Sequence, residues 1–208
     1  MIAIVDYGMG NLASVSKALI YLHEKVCITN DKDVIRNSDG LIVPGVGAYG
    51  PAMEALKEHG LVDVIREFAA SGKPVLGICL GMQLFLDASE EGAPEGELIE
   101  GLGLIPGVCR KFPADKTVDQ GLKVPQMGWN KLVDVKGSLL KDGDFVYFVH
   151  SFYCDVESDS DVAAYAEYGI KYPCAIERGN IFATQFHPEK SGEAGLQILS
   201  KFARRASR

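Results

Sequence analysis

The stretch Lys73-Pro-Val-Leu-Gly-Ile-Cys-Leu-Gly-Met-Gln83 decides the fold expected for this chain. Residues 74–78 are an apolar run typical of a buried strand, and residues 80–86 have the pattern of a helix start. Cys79 stands at the junction, with a glycine two residues away on either side. Glycine, nucleophile and glycine at alternate positions are the pattern of a sharp strand-to-helix elbow, here with cysteine in place of serine. The stretch therefore predicts a nucleophilic thiol at the carboxyl end of a sheet strand.

Backbone geometry explains why glycines flank this cysteine. A residue held in a sharp turn needs neighbours without a Cβ atom, since otherwise the strand and the helix cannot approach closely. A thiol at a helix N-terminus also lies near unpaired backbone N–H groups and the positive end of the helix dipole, and both favour the reactive thiolate. The alternative is a cysteine packed in the core, which would not need paired glycines.

The composition indicates a single domain that spans residues 1–208. The net charge is −7, which argues against nucleic acid or an anionic membrane as a partner, because either would need a basic face. No apolar run in the sequence approaches the roughly 18 residues of a membrane span, and the N-terminal residues do not resemble a signal peptide. The 5 cysteines are scattered without a Cys-x-x-Cys pair, so we expect a reduced, cytoplasmic protein with no bound metal and no cofactor.

Apolar runs alternate with helical patterns through the first half of the chain. Strands are expected at residues 2–5, 26–29 and 41–43, and helices at residues 12–22, 52–59 and 61–70, with Asn11 as an N-cap. Strands that alternate with helices predict an α/β fold with a doubly wound, mostly parallel sheet flanked by helices.

The second half of the chain has shorter β-type runs separated by glycine and proline. Additional antiparallel strands are expected at residues 107–112, 131–135, 145–149, 162–168, 174–178 and 181–186. Gly179-Asn180 is a two-residue hairpin signal between the last two runs. An acidic surface segment is expected at residues 89–101, and a helix at residues 195–206 closes the chain.

A glycine-rich loop follows the third expected strand. Gly45, Gly47 and Gly50 fit the Gly-x-Gly-x-x-Gly template of dinucleotide sites. We reject a nucleotide site, because such a loop usually follows the first strand and the acidic net charge does not favour it. A glycine-rich loop at a strand's carboxyl end also presents free backbone N–H groups to a developing oxyanion, and this use fits better beside a nucleophile elbow.

A histidine and a carboxylate follow the last expected strand. His187 and Glu189 are separated by Pro188, which stiffens the turn and biases His187 toward an extended backbone. An imidazole that takes a thiol proton needs a partner to orient it, and Glu189 is placed for that role. The alternative for the pair is a surface ion pair.

Several motifs together resemble one enzyme family, the class I (triad) glutamine amidotransferases. The motifs span nearly the whole chain: Asp6-Tyr-Gly-Met-Gly-Asn11, Pro44-Gly-Val-Gly47, Gly77-Ile-Cys-Leu-Gly-Met-Gln83, Pro125-Gln-Met-Gly-Trp-Asn130, Phe148-Val-His-Ser-Phe152 and Gln185-Phe-His-Pro-Glu-Lys-Ser191. The resemblance implies that Cys79 is the nucleophile, His187 the general acid/base and Glu189 its orienting partner. It also implies hydrolysis of L-glutamine to glutamate and ammonia through a glutamyl thioester.

The resemblance assigns further roles by position. Leu80 and the Val46-Gly47 loop are expected to supply the oxyanion donors, and four residues are expected to hold the substrate: Gly47, Gln83, Ser151 and Phe152. Within the family, the whole set of motifs is most similar to a glutaminase of histidine biosynthesis that forms a heterodimer with a (β/α)8-barrel cyclase subunit. The docking face expected for that partner comprises Asn11, Met127, Trp129, Asn130, Tyr147 and Lys190. Trp129 remains open to a second interpretation, as a core aromatic.

Two positions depart from the family pattern. Many relatives have a second glycine where Val46 stands, and a β-branched residue resists a backbone flip that would turn its N–H inward. We therefore expect an oxyanion hole that is misformed at rest, so that activity depends on the partner. At Phe152 relatives often carry a more polar residue, which leaves its role in binding substrate open.

Three other functions remain consistent with the sequence. The chain is alternatively a glutaminase of another synthase, in vitamin B6 or purine synthesis, or a free-standing cysteine hydrolase, or a catalytically idle scaffold. The motifs at residues 6–11 and 125–130 argue against the first alternative. The intact Cys79, His187 and Glu189 argue against the last.

Overall fold

The computed structural model describes residues 1–207, so Arg208 lies outside the description. Strands in this range are β1 (Ile2–Val5), β2 (Val26–Thr29), β3 (Gly40–Gly45), β4 (Val75–Cys79), β5 (Leu86–Ser89), β6 (Ile99–Glu100), β7 (Ile105–Lys111), β8 (Gln126–Lys131), β9 (Phe145–His150), β10 (Phe152–Val156), β11 (Val162–Tyr168), β12 (Ile170–Arg178) and β13 (Ile181–Thr184). Helices are α1 (Leu12–Tyr21), α2 (Lys32–Asn37), α3 (Tyr49–Glu58), α4 (Val62–Ala70), α5 (Leu80–Leu84) and α6 (Gly192–Ala206).

The main sheet of residues 1–207 runs in the order β11-β12-β13-β4-β3-β1-β2. The five strands from β13 to β2 are mutually parallel, while β11 and β12 extend the sheet in antiparallel fashion. The predicted α/β fold with a mostly parallel sheet flanked by helices is confirmed. The strands β3, β4 and β13 are neighbours, so the segments that follow them meet at one edge of the sheet, where sites of parallel sheets are built.

Alternate residues of the central strands pack on opposite faces of the sheet. In β1, Ile2 and Ile4 belong to one buried cluster and Ala3 and Val5 to another. This period of two is what a strand buried on both faces requires, and it explains why the run is uniformly apolar.

The strands of the second half divide among three sheets, and the expectation that they are all antiparallel is wrong, because β13 pairs parallel with β4 and β7 pairs parallel with β5. The β12–β13 hairpin confirms the turn expected at Gly179-Asn180. A separate four-stranded sheet has the order β10-β7-β5-β6, and β8 pairs only with β9. These two smaller sheets stand beside the parallel core.

Some expected elements were wrong or missed. A strand over residues 131–135 does not form, because β8 ends at Lys131 and beyond it Val133 makes only an isolated bridge to Tyr165. The strands β5, β6, β8 and β10 and the helix α2 were not predicted, and the helix expected to begin at residue 80 ends at Leu84. Asn11 occupies the N-cap position of α1, but its side chain makes no capping hydrogen bond. Over residues 1–207, no helix is both long and apolar enough to cross a membrane.

Candidate active site

Cys79 stands at an elbow that close backbone contacts enforce. It ends β4 and caps α5 with φ +56° and ψ −109°, a left-handed backbone that a residue with a side chain rarely adopts. A Cβ atom at Gly81 would lie 1.9 Å from the Val43 carbonyl oxygen, and one at Gly77 would lie 2.8 Å from the Gly81 carbonyl oxygen. The glycines are therefore required by the approach of β3, β4 and α5, as the sequence predicted.

His187 and Glu189 form a buried pair. The Nδ1 atom of His187 lies 2.8 Å from Oε1 of Glu189, and the two side chains are only 3% and 1% exposed. The alternative of a surface ion pair is therefore wrong. The Nε2 atom of His187 is buried without a hydrogen-bond partner in residues 1–207, so one ring nitrogen is oriented by the carboxylate and the other is free for chemistry.

The electrostatic surroundings of His187 favour its charged form. Burial lowers the pKa of His187, but the interactions with Cys79 and Glu189 together outweigh burial and raise the pKa to about 9. His187 therefore holds its second proton at neutral pH. A protonated imidazole in the same cavity as the Cys79 sulfur is suited to general acid/base chemistry there.

Two further groups contact the sulfur of Cys79. The Val149 carbonyl oxygen lies 3.7 Å from Sγ, and the side-chain nitrogen of Gln185 lies 3.8 Å from it. The Tyr7 hydroxyl donates to the Pro44 carbonyl oxygen at 2.8 Å. Burial, together with the nearby Cys79, raises the pKa of Tyr7, which stays a neutral donor. The sequence placed Tyr7 and Gln185 in motifs without assigning them a role.

A cavity of about 250 Å³ opens beside Cys79. Its lining contains Cys79 and His187 together with every residue predicted for the oxyanion site and the substrate: Val46, Gly47, Leu80, Gln83, Ser151 and Phe152. Glu189 lies behind His187 rather than at the cavity. The fold thus brings the sequence-predicted site residues to one place, and their individual roles stay predictions.

The loop after β3 forms one rim of the cavity. Val46 is 41% exposed, and Gly47 has a φ of +95°. Within residues 1–207, the N–H groups of Val46 and Gly47 donate to no backbone carbonyl. Unpaired donors at the rim of a cavity suit an oxyanion site, although the side chain of Val46 makes this loop stiffer than one with two adjacent glycines.

Glu91 is a cavity residue that the sequence did not single out. Its carboxylate accepts a hydrogen bond from the backbone N–H of Tyr49, the first residue of α3, at 3.1 Å. Burial raises the pKa of Glu91, and the Tyr49 hydrogen bond only partly opposes this. Glu91 lies in a segment expected to be a plain acidic surface, so no local pattern distinguished it from its neighbours.

The six residues of the expected docking face lie outside the cavity. Met127 and Trp129 are 65% and 56% exposed on β8, so the interpretation of Trp129 as a core residue is wrong. The Trp129 ring meets the Tyr147 ring edge-on at 6.1 Å between centroids. The Tyr147 carbonyl oxygen accepts from the backbone N–H of His187 at 2.9 Å, which connects this surface to the triad.

The remaining members of that set lie close by. Asn130 is half-buried and donates to the Glu167 carbonyl oxygen at 2.9 Å. Lys190 is exposed one residue after Glu189, and α1, which Asn11 precedes, contacts the turn at residues 188–190. In the described part of the chain, no group of three or more His, Cys, Asp or Glu side chains is placed to hold a metal ion.

Comparison with known proteins identifies the family. The family described as Glutamine amidotransferase class-I matches residues 3–206. The chain belongs to this family. It is 49% identical over 206 residues to the imidazole glycerol phosphate synthase subunit HisH of Bacillus cereus, covering 97% of this chain and 93% of that protein. The subunit of the same name from Bacillus mycoides is 48% identical over 207 residues, with the same coverage.

Solved structures of class I amidotransferases have the same fold. A crystal structure titled glutamine amidotransferase matches with a TM-score of 0.74 at 19% identity and covers 100% of both chains. The structure of PurLQS from Thermotoga maritima matches with a TM-score of 0.69 at 17% identity, covering 98% of this chain and 97% of that one. At such identities the likeness concerns the fold alone.

Proposed function

We propose that this class I amidotransferase is the glutaminase subunit of an imidazole glycerol phosphate synthase. It hydrolyses L-glutamine to glutamate and ammonia and delivers the ammonia to a (β/α)8-barrel cyclase subunit, which forms imidazole glycerol phosphate and the aminoimidazole carboxamide ribonucleotide in histidine biosynthesis. The observation that carries the chemistry is the buried pair of His187 and Glu189 beside an elbow cysteine. Identity near 49% along almost the whole chain to subunits of that name supports this synthase.

The reaction begins with the sulfur of Cys79. As a thiolate, Sγ attacks the side-chain amide carbon of glutamine, and a carbon–sulfur bond forms while the carbonyl electrons move to oxygen. The backbone N–H of Leu80 and one from the Val46-Gly47 loop stabilise that oxyanion. The proton on His187 Nε2 passes to the departing nitrogen, the carbon–nitrogen bond breaks, and ammonia leaves a glutamyl thioester.

Water then completes the cycle. His187, now neutral and still oriented by Glu189, takes a proton from a water molecule that attacks the thioester carbon. Collapse of the second oxyanion breaks the carbon–sulfur bond and releases glutamate. The Glu189 carboxylate stabilises the His187 imidazolium in both half-reactions.

The lining of the cavity suits an amino acid's charged end. Gln83, Ser151 and Phe152 contribute backbone and side-chain polar groups to it, and Glu91 adds a carboxylate, one oxygen of which accepts from the Tyr49 N–H. The exposed apolar side chains of Met127 and Trp129 provide a docking face next to the triad. Exposed aromatic and methionine side chains are enriched at protein interfaces.

The deciding experiment measures glutamate release from glutamine by the purified chain. It is run with the chain alone, with the cyclase subunit, and with that subunit plus its nucleotide ligand, and Cys79→Ala is the control. We expect near-silence alone and strong activation by the liganded partner. Full activity of the chain alone would support a free-standing hydrolase instead. Absence of activity with the liganded cyclase would contradict the proposed synthase, and partners from vitamin B6 and purine synthesis would then be compared.

A further inference from the structure

A second buried histidine, His150, lies in the wall of the same cavity. It ends β9, is only 6% exposed and lines the cavity with Cys79 and His187. Its Nδ1 atom lies 2.8 Å from the Phe152 carbonyl oxygen, and its Nε2 atom lies 3.2 Å from the Tyr172 hydroxyl oxygen. Both ring nitrogens therefore lie next to oxygen atoms, although no step of the proposed reaction uses this side chain.

The direction of the hydrogen bond to Phe152 follows from proton counting. Burial lowers the pKa of His150 to about 4, with the bond to Phe152 opposing the shift and His187 adding to it. The ring is therefore neutral at physiological pH and carries one proton. The Phe152 carbonyl oxygen can only accept, so the proton is on Nδ1 and His150 is the donor.

The Phe152 carbonyl oxygen accepts hydrogen bonds from two buried side chains, those of His150 and Gln83. The side-chain nitrogen of Gln83 donates at 3.2 Å, and that nitrogen lies 3.0 Å from Oε1 of Gln185. The nitrogen of Gln185 in turn contacts Sγ of Cys79 at 3.8 Å. A continuous set of buried contacts therefore joins His150, the Phe152 backbone and the nucleophile.

The imidazole of His150 is itself held from the other side. The Tyr172 hydroxyl donates its one proton to Oε1 of Gln126 at 2.8 Å, so its 3.2 Å approach to Nε2 of His150 is a packing contact and not a second hydrogen bond. Gln126 is the residue opposite His150 in the β8–β9 pair. The rings of Phe112 and Phe148 lie 5.3 and 5.6 Å from the His150 ring. Packing and hydrogen bonding together fix the orientation of the ring.

We propose that His150 is a positioning residue that sets the backbone of Ser151 and Phe152 for glutamine, with Tyr172 and Gln126 holding its ring in place. This inference rests on the proposed function, because it assumes that the Ser151-Phe152 wall receives glutamine. Without His150, the Phe152 carbonyl oxygen keeps only the longer contact to Gln83. The segment is then held mainly by the pairing of Phe152 with Lys111 and by the 3.4 Å bond from the Phe112 N–H to the Ser151 carbonyl oxygen, and its position is less firmly set. Removing His150 is expected to weaken glutamine binding without changing the reaction at Cys79, so KM should rise more than kcat falls.

Three variants, assayed with the liganded cyclase subunit, separate the contacts. His150→Leu removes the hydrogen bond to Phe152 and the contact with the Tyr172 hydroxyl, and we expect KM for glutamine to rise about tenfold while kcat falls less than about threefold. His150→Asn keeps an amide N–H close to the position of Nδ1 and is expected to recover most of the KM. Tyr172→Phe keeps the ring and loses the hydroxyl, and we expect a KM rise of about threefold. Tyr21→Phe, at an exposed tyrosine, is the matched control.

Alkylation of Cys79 by iodoacetamide provides a second readout. We expect the rate without glutamine to be similar in wild type and His150→Leu, and protection by glutamine to require about tenfold more glutamine in the variant. A role in folding alone would lower the melting temperature and leave KM and protection unchanged, which would overturn the proposal. A KM in His150→Asn as high as that in His150→Leu would overturn it as well.

Two further outcomes keep the test decisive. If His150→Leu does not fold, the KM test uses Tyr172→Phe instead. An unchanged KM in that variant overturns the proposal. A wild-type protein that neither releases glutamate nor shows protection by glutamine would overturn the proposed function itself. That result differs from an active wild type whose variants bind glutamine equally well.

Discussion

The elbow around Cys79 and the loop at residues 46–48, called the oxyanion loop for its proposed role, lie at the ends of neighbouring strands. The two segments differ in how tightly the fold packs around them. Gly45 of β3 pairs with Cys79 of β4, so both segments leave the sheet at the same level. Residues 75–86 around the elbow are buried without interruption, whereas residues 46–48 of the loop are exposed.

The same contrast appears in the distances from an added Cβ atom to its nearest neighbour at Gly81 and at Gly47. At Gly81 an added Cβ atom would meet backbone at 1.9 Å, and backbone cannot move aside. At Gly47 the nearest atom is the terminal methyl of Met9, at 2.9 Å from such a Cβ, and a flexible side chain can move. The fold therefore fixes the sulfur of Cys79 by packing and leaves the proposed oxyanion donors on a segment with room to change conformation. If activity depends on a partner, as proposed, the loop at residues 46–48 is the adjustable element.

Gly81→Ala tests the rigid side of this comparison and has the largest expected effect. The new methyl group would overlap the Val43 carbonyl oxygen, so β3 and α5 would have to separate. We expect a loss of more than about 4 kcal/mol in the free energy of unfolding, or no folded protein. Urea denaturation followed by circular dichroism measures it.

The control without a steric clash is Gly72→Ala. Gly72 has no atom within 4 Å of an added Cβ, although its φ of +81° adds a backbone strain that Gly81 does not have, so its cost of about 1 kcal/mol is an upper limit for the part of the effect that is not a clash. Equal losses in the two variants would show that close packing at the elbow is not what requires the glycine.

The pH dependence of stability tests how firmly the triad is preorganised. The pKa of His187 is raised from 6.5 to about 9 in the folded protein, so its stabilising contribution is complete below pH 6.5 and is lost as the pH rises through 9. The expected loss over this range is about 3 kcal/mol. His187→Asn should remove this slope, whatever its overall stability, in urea denaturation at successive pH values.

His59→Asn is the control for the pH experiment, because His59 is exposed at the end of α3. Its slope is expected to match that of the wild type. A wild-type slope that persists in His187→Asn would mean that another group carries the pH dependence and that the triad is not charged at rest.

The elbow could be read from the sequence because its signal is local. Gly77, Cys79 and Gly81 lie within five residues, and the contact that requires Gly77, with the Gly81 carbonyl oxygen, lies inside the turn. The contact that requires Gly81, with the Val43 carbonyl oxygen, comes from the neighbouring strand β3. His187 and Glu189 were found for the same reason, since Pro188 holds them in one stiff turn. Their burial, which decides that they are not a surface ion pair, depends on β9 packing against them.

The parts that sequence reasoning missed depend on distant pairing. The strand β8 contains glycine, tryptophan and asparagine with no clear alternation, and it is a strand because β9 pairs with it. Glu91 is held at the cavity because its carboxylate accepts from the N–H of Tyr49 at the start of α3, 42 residues earlier in the chain. His150 belongs to the motif at residues 148–152, but its neighbour Tyr172 comes from β12 and no local pattern connects the two.

Val46→Gly tests the flexible side of the comparison, with the smallest expected effect. Glycine has no Cβ atom and adopts backbone conformations that a β-branched residue resists. The variant should therefore reach the conformation with an inward N–H more often. We expect glutamate release by the chain alone to rise about tenfold, with a smaller change when the liganded cyclase is present, so that the stimulation ratio falls. Val118→Gly, at an exposed valine distant in sequence, controls for a general gain in flexibility. If Val46→Gly leaves the activity of the isolated chain unchanged, the valine does not limit the oxyanion hole, and dependence on the partner must arise at another element.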